Sequence, residues 1–328
     1  MLALDDRTGN VLTTVALFAI VSGVLYAARA TIVAVVLALL LAYLLEPAVA
    51  WVQRLFPRLK SGRGVAIGVV YLVMMLVAVG LGDAIEPEVA RQLRRLNAAL
   101  PDMLARLADQ PLPAQSGTSL AGMVERLIRA ATAAADHVSS FLMAPIIAVF
   151  LLLNRSAFME GTVDLFARGQ DRTRVTRTVE HVDVMLAQYM RAQFLLSVLS
   201  VAFYSLSMAV LGFPYPLVLG VLGGALEFVP VVGWISAAAV ILTAGWLAQA
   251  NWIAMAGLLL IWRIVQNLVN VPRIMGDQLE MDPLTVLVAL MAGGQIGGLL
   301  GAVLSVPVVA VLRILWLDRA SRQKAEAA

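Results

Sequence analysis

The sequence predicts an all-α polytopic membrane protein with about seven or eight hydrophobic segments, two of them broken or re-entrant. Hydrophobic residues make up 61% of the 328 residues and charged residues only 14%, with a mean hydropathy of +0.89. A soluble globular chain is roughly 45–50% apolar and about 25% charged, so this chain lacks the surface charge that would keep it in water. Apolar runs near the length of a membrane-spanning helix also recur along the whole chain. These observations argue against a cytosolic enzyme and against a nucleic-acid-binding protein.

The apolar segments follow one another from the N-terminus with short polar connections. The first is not expected to be a cleaved signal peptide, because Asp5 and Asp6 precede it and a second apolar run follows directly after Arg29. The sixth and eighth segments are too long for one span and contain glycines or prolines that break a helix. The segments are 11–28, 30–52, 65–81, 138–153, 194–211, 217–247, 252–269 and 284–317.

Basic residues in short loops set the expected orientation. The loop 53–64 carries four basic residues and no acid, and the tail 318–328 carries more basic than acidic residues. Cytoplasmic loops are enriched in Lys and Arg, so both termini are expected in the cytoplasm. The chain is then divided into N-terminal spans (1–82), an amphipathic extracytoplasmic helical insert (83–137), a span (138–153), a cytoplasmic amphipathic helical segment (154–193), a C-terminal transport core (194–317) and a cytoplasmic tail (318–328).

The extracytoplasmic insert has a helical pattern. Leucines and a valine recur at spacings of three or four residues between 89 and 107, with arginines on the opposite face. Such an insert could be a binding lobe. An amphipathic hairpin that lies on the membrane or packs between subunits is the favoured interpretation.

Ionisable residues within apolar segments are functional hypotheses, because each costs roughly 2.5–3.5 kcal/mol to insert. Glu46 precedes Pro47 and is interpreted as an interfacial residue beside a kink. Glu227 lies in a stretch that glycines and prolines break, where a functional and a structural role are equally supported. Arg263 would either pair with Glu227 or hold an anionic substrate.

Amides and glycines mark two further places in the C-terminal half. Gln266, Asn267 and Asn270 follow Arg263 on adjacent helical faces. Amides can bond neighbouring helices, but three of them beside an arginine predict the lining of a wet cavity. The glycine-rich run 293–298 is either a tight helix contact or the tip of a re-entrant hairpin.

The two interrupted segments have a similar order of residues. From Pro216 and again from Pro283, an apolar run leads to paired glycines and then to a polar residue, Glu227 or Gln295. Interrupted segments in corresponding positions are a pointer to the binding site of a transporter. The match is short and depends on the glycines.

No catalytic signature accompanies these features. The sequence has no Walker loop and no Ser/His/Asp or paired-carboxylate arrangement, so an enzyme is not expected and ATP is not expected as the energy source. It has no cysteine and only two histidines, which argues against a usual metal centre, and no cofactor is expected.

Several short motifs of the C-terminal half occur in a fixed order. They are 189–193, 220–224, 228–233, 272–276 and 282–284, followed by Gly293, Gly294, Gly297, Gly301 and 306–307. In these motifs the C-terminal half resembles the autoinducer-2 exporter family of bacterial permease-like proteins. Order and spacing agree from about Tyr189 to Pro307, and the N-terminal half has the layout of the family.

The resemblance implies an ATP-independent transporter of the bacterial inner membrane. Some relatives export the quorum-sensing signal autoinducer-2, and others are credited with sodium(lithium)/proton exchange. Gln266 stands where relatives often carry an acid six residues before the motif proline, which weakens the antiport interpretation. Motif position and intramembrane polarity together give the candidate pathway residues Glu227, Pro230, Gly233, Arg263, Gln266, Asn267, Asn270, Arg273, Gly293, Gly294, Gln295 and Gly297.

The leading hypothesis is export of a small hydrophilic solute by alternating access, with gates around Glu227 and Gly293. Glu227 would respond to protons or cations, and Arg263 with the three amides would contact the solute. The expected partners are the lipid bilayer, the solute, a proton or sodium ion and further copies of the chain, without nucleic acid. The alternatives are a monovalent cation/proton antiporter and, in another class, a non-transporting membrane scaffold.

Overall fold

The computed structural model describes residues 6–55, 62–108, 138–167, 171–275 and 282–326, and within these ranges every regular element is helical. The predicted all-α class is therefore confirmed. The second half of the insert and half of the loop 53–64 (residues 56–61) lie outside the described residues. The helices are α1 (Asp6–Ala27), α2 (Arg29–Leu55), α3 (Gly62–Ala108), α4 (Val138–Leu153), α5 (Arg155–Phe166), α6 (Arg172–Val210), α7 (Pro216–Leu226), α8 (Val232–Leu247), α9 (Trp252–Val265), a π-helical segment (Gln266–Asn270), α10 (Val271–Met275) and α11 (Pro283–Glu326).

The described helices include five that are long and apolar enough to cross a membrane, which confirms the predicted polytopic architecture. These spans are Thr31–Leu55, Gly62–Ala99, Arg172–Val210, Trp252–Ile274 and Leu284–Arg319. A sixth results if α4 and α5, which are bent by 80° at Asn154, count as one broken span. In contrast, α7 and α8 are apolar but short: the 11 residues of α7 reach about 16 Å, roughly half of the hydrocarbon core.

Two helices continue through predicted boundaries. The 47 residues of α3 run without interruption from the membrane segment into the insert, past residue 82. The 39 residues of α6 likewise pass residue 193 without a break. In both α3 and α6, an apolar run and an amphipathic run share the helical period, so the two runs form one continuous helix.

Small residues pack the N-terminal helices closely together. Alanines on α2, α3 and α4 are almost fully buried, and small side chains allow helix backbones to approach in a membrane. The core of this bundle contains Ala38, Ala42, Val49, Val52, Ala66, Ile67, Val70, Ala144, Ala148 and Leu152.

In the C-terminal half, α7 lies directly against the backbone of α6. A Cβ atom added at Gly224 would lie 2.9 Å from the backbone nitrogen of Val201 and 3.0 Å from the carbonyl oxygen of Ser197. At Gly220, an added Cβ would lie 2.9 Å from the backbone nitrogen of Ser205. The two glycines are four residues apart, so they form one small-residue face on which α6 packs.

Helices α7 and α8 form a hairpin, which we call hairpin A (216–247). The chain turns at 227–231, where Val231 has a positive φ of 63°, and Gly233 then packs against the carbonyl group of Leu226. At the other end of α8, a Cβ on Gly245 would meet the ring of Phe213 and lie 3.3 Å from Cβ of Trp252. The hairpin therefore begins and ends at the same level, beside the start of α9.

Helix α11 is a second hairpin, which we call hairpin B (283–326). Gly298 has φ 58° and ψ −139°, a conformation outside the helical region. A Cβ added to Gly293 or to Gly301 would collide with the backbone of the other glycine. Eight residues of straight helix would separate them by about 12 Å, so the chain must reverse at Gly298. The prediction that both long C-terminal segments are broken is confirmed.

Candidate transport site

A cavity of about 200 Å³ lies between the end of α7, the start of α8 and α9. Its lining contains two charged residues, three aromatic residues and five aliphatic residues. The charged pair is Glu227 and Arg263, both predicted pathway residues. The remaining lining residues are Tyr204, Trp234, Trp262, Ala238, Leu242, Ala256, Leu259 and Leu260.

Helix α6 holds Glu227 in place through two side chains. The hydroxyl of Tyr204 donates a hydrogen bond to Oε1 of Glu227. The side-chain amide of Gln193 donates to the backbone carbonyl of the same residue at 2.6 Å. Because Glu227 caps the C-terminal end of α7, these contacts position both the carboxylate and the end of the helix.

Arg263 stacks on an aromatic ring of the neighbouring helix. Its Cζ lies 4.8 Å from the centre of the Trp234 ring, within the range of a cation–π contact. Glu227 lines the same cavity, but the predicted ion pair between the two is not formed. The guanidinium group has no hydrogen-bond or ion-pair partner among the residues that the structure describes.

Of the three predicted amides, Gln266 bonds to helix α6, and none of the three lines this cavity. Nε2 of Gln266 donates to Oγ of buried Ser200 at 2.9 Å, and Nδ2 of Asn270 donates to Oε1 of Gln266 at 2.9 Å. Asn267 and Arg273 are exposed on the outer faces of their segments. Of the two interpretations that the sequence leaves open for the amides, the geometry agrees with interhelical bonding.

The backbone of the amide segment is π-helical. The N–H group of Val271 bonds to the carbonyl oxygen of Gln266, five residues earlier. Pro272 follows at once and has no N–H group of its own, so the ladder of the helix is already interrupted here. Such π-helical turns occur frequently at functional sites.

The turn of hairpin A meets the two arms of hairpin B next to Glu227. Val229, in the turn of hairpin A, packs against Leu290 and Ala302 from the two arms of hairpin B. In the turn itself, the carbonyl oxygen of Pro230 accepts a hydrogen bond from the N–H of Val232 at 2.6 Å. The two interrupted segments are thus in contact, as a shared gate would require.

The predicted glycine-rich residues belong to hairpin B and do not reach the cavity. Gly293 serves the contact between the two arms of the hairpin. Gly294 is half-buried, and Gln295 and Gly297 are exposed near the tip. The glycine run therefore combines both predicted features, because a tight small-residue contact closes the hairpin.

Sequence reasoning missed the polar stripe of α6. Five polar residues face the protein interior at spacings of three or four: Gln193, Ser197, Ser200, Tyr204 and Ser207. All are at most 8% exposed, and they include the partners of Glu227 and Gln266. Their helical spacing inside an apolar run was the signal that could have revealed them.

A second polar site, of which the sequence indicated only Glu46, joins the N-terminal bundle to α6. Glu46 accepts from Arg63 at 2.8 Å and from Arg155 at 3.1 Å, and Arg155 also pairs with buried Asp183. Nε of Arg63 further donates to the carbonyl oxygen of Leu152 at 2.6 Å, near the end of α4. Glu46 therefore lies at the centre of a network over five helices and is more than an interfacial residue beside a kink.

Apolar spans, charged groups between them and two contacting broken hairpins define a multi-pass membrane transport protein. Comparison with known families identifies the family of transport proteins to which the chain belongs. The AI-2E family transporter model matches residues 15–318, and the chain belongs to this family. The family consists of transport proteins, so the chain is a transporter and not an enzyme.

Individual relatives are similar at moderate identity. YrrI of Bacillus subtilis is 29% identical over 62% of this chain, and the match spans 58% of the length of YrrI. MT0215 of Mycobacterium tuberculosis is 28% identical over 85% of this chain and 80% of its own. The AI-2 transport protein TqsA of Escherichia coli is 27% identical over 93% of this chain and 90% of its own.

Proposed function

We propose that this protein exports a small hydrophilic solute across the bacterial inner membrane without ATP, by alternating access at the Glu227 cavity. The observation that carries this proposal is the contact between the turn of hairpin A and the two arms of hairpin B beside an intramembrane carboxylate. Charged residues at membrane depth mark substrate or ion pathways. Broken helices that meet near the midplane are the usual construction of transporter binding sites.

The orientation of the hairpins supports two opposed gates. With both termini in the cytoplasm, α6 runs outward from Arg172, and hairpin A starts and ends on the outer side. The contacts of Gly245, near the end of α8, with Phe213 and Trp252 agree with a hairpin whose two ends lie at the same depth. Helix α9 then crosses inward, and hairpin B starts and ends on the inner side. Displacement of hairpin A would open the site outward, and displacement of hairpin B would open it inward.

Autoinducer-2 is the first solute to test, because one relative of nearly equal extent is named an AI-2 transport protein. The test is the release of labelled autoinducer-2 from proteoliposomes that contain the purified protein, with and without a proton gradient. Release should exceed that from empty liposomes and should be lost in the Glu227→Gln variant. The matched control is Glu160→Gln, which changes an exposed acid of α5 and should keep the rate of the unmodified protein.

Each outcome has a separate meaning. Normal release by Glu227→Gln would refute the role of this carboxylate, and no release by the unmodified protein would refute the solute. A sodium-driven pH change in the same liposomes would instead identify a cation/proton antiporter. Antiport is the weaker candidate, because Glu227 is the one acid among the cavity-lining residues and Gln266 is bonded to Ser200 and Asn270.

A further inference from the structure

The two charged residues of the cavity lie at the same depth in the membrane. Glu227 comes 11 residues after Pro216, the first residue of α7, and Arg263 comes 11 residues after Trp252, the first residue of α9. Gly245 contacts both Phe213 and Trp252, so α7 and α9 start at a similar level. Eleven helical residues correspond to about 16 Å, close to the middle of a hydrocarbon core of about 30 Å.

These two charges leave bonding capacity for a ligand. The guanidinium of Arg263 lies over the Trp234 ring, and no carboxylate or carbonyl of the described ranges accepts from it. Tyr204 donates to one oxygen of Glu227, and a carboxylate can accept several hydrogen bonds. A charged group near the bilayer centre is costly unless it is paired, so both groups favour a partner of opposite charge.

The wall between the charges is apolar and aromatic. Five aliphatic side chains and the rings of Trp234 and Trp262 line it, and none of the three predicted amides is among the lining residues. Trp262 is itself fixed, because it stacks on Phe203 at 4.3 Å and donates to Ser200 at 3.2 Å. At about 200 Å³ the cavity is smaller than the roughly 300–1,000 Å³ of a drug-sized ligand site.

We infer that this cavity binds small zwitterions that have an apolar side chain, as in an aliphatic amino acid. The carboxylate of the ligand pairs with Arg263, its ammonium group pairs with Glu227, and its apolar side chain contacts the aliphatic wall. This inference rests on the proposed transport function and names a class of substrate for the same site.

Ligand analogues test each contact separately. Binding of radiolabelled L-leucine to the purified full-length protein is measured, with competition by leucinol and by 4-methylpentanoate. Leucinol lacks the carboxylate and 4-methylpentanoate lacks the ammonium group, so each should compete roughly tenfold or more weakly than leucine.

Matched variants then assign the two ends of the ligand. In Arg263→Gln, leucine should bind roughly tenfold or more weakly than to the unmodified protein. Leucinol should lose much less affinity, because it has no carboxylate that could pair with Arg263. In Glu227→Gln, the same relation should hold between leucine and 4-methylpentanoate. The control variants Arg177→Gln and Glu160→Gln change exposed residues of α6 and α5 and should bind leucine normally.

The possible results are distinct from those of the export test. Saturable leucine binding with this pattern of losses supports the inference. Absence of leucine binding by protein that releases autoinducer-2 would overturn the inference and leave the proposed function intact. Leucine binding that is insensitive to both Arg263→Gln and Glu227→Gln would also overturn it, because the ligand would then occupy another place.

Discussion

The close packing of α7 on α6 predicts that Gly224→Ala will destabilise the protein. The added Cβ would lie 2.9 Å from the backbone nitrogen of Val201 and 3.0 Å from the carbonyl oxygen of Ser197. Both are backbone atoms of a neighbouring helix, so rotation of a side chain cannot relieve the contact. The two helices must therefore separate locally.

The size of the stability change in Gly224→Ala follows from two opposing effects. Overpacking of this kind costs roughly 1–3 kcal/mol, whereas alanine is favoured over glycine inside a helix by about 1 kcal/mol. Gly257 of α9 is the matched control, because an added Cβ there meets no atom within 4 Å. We expect Gly257→Ala to be neutral or slightly stabilising. Gly224→Ala should be less stable than this control by about 1–3 kcal/mol.

The assay is the unfolding of both variants and the unmodified protein in one detergent, followed by circular dichroism during heating or titration with SDS. Proteoliposome export is measured in parallel, because α7 carries Glu227 at its end and a displaced α7 should also slow transport. Equal stability of Gly224→Ala and Gly257→Ala would refute the close approach of α7 to α6.

Three further predictions concern other contacts. Gly298→Ala should destabilise hairpin B by about 1–3 kcal/mol, because φ 58° with ψ −139° is accessible mainly to glycine. The control Gly68→Ala, where an added Cβ meets no atom within 4 Å, should not destabilise the protein, and equal melting temperatures of the two variants would contradict the chain reversal at Gly298. Arg155→Gln removes the partner of Asp183 and Glu46 and should lower the free energy of unfolding by about 1–2 kcal/mol, a loss that is limited because the Arg155 side chain is 38% exposed. A double-mutant cycle with Asp183→Asn should show coupling between the two residues, and strict additivity would refute the network. Gln92→Leu should lower the free energy of unfolding by about 1–3 kcal/mol, because the buried amide oxygen of Gln92 accepts hydrogen bonds from two N–H groups at the start of α7. An unchanged midpoint of thermal unfolding would show that this cap is dispensable.

Local properties of the amino-acid sequence were enough to predict the class of the protein and the places where its helices break. Run length and composition predict membrane spans, because the cost of exposing or burying each segment is a local property. The breaks at Val231 and Gly298 fall in stretches whose glycines and prolines were visible in the sequence. The amphipathic periodicity after residue 83 also predicted the helical extension of α3 correctly.

Which polar groups face one another depends on contacts between helices that are distant in the sequence. Arg263 and Glu227 share a cavity without pairing, whereas the amide of Gln266 turns to Ser200, 66 residues away in the sequence. Glu46 meets Arg155 over a separation of 109 residues. A helical period states which residues share a face but not which neighbour that face meets. The packing of α7 on α6, through glycines that admit a backbone, is what brings Glu227 to Gln193 and Tyr204.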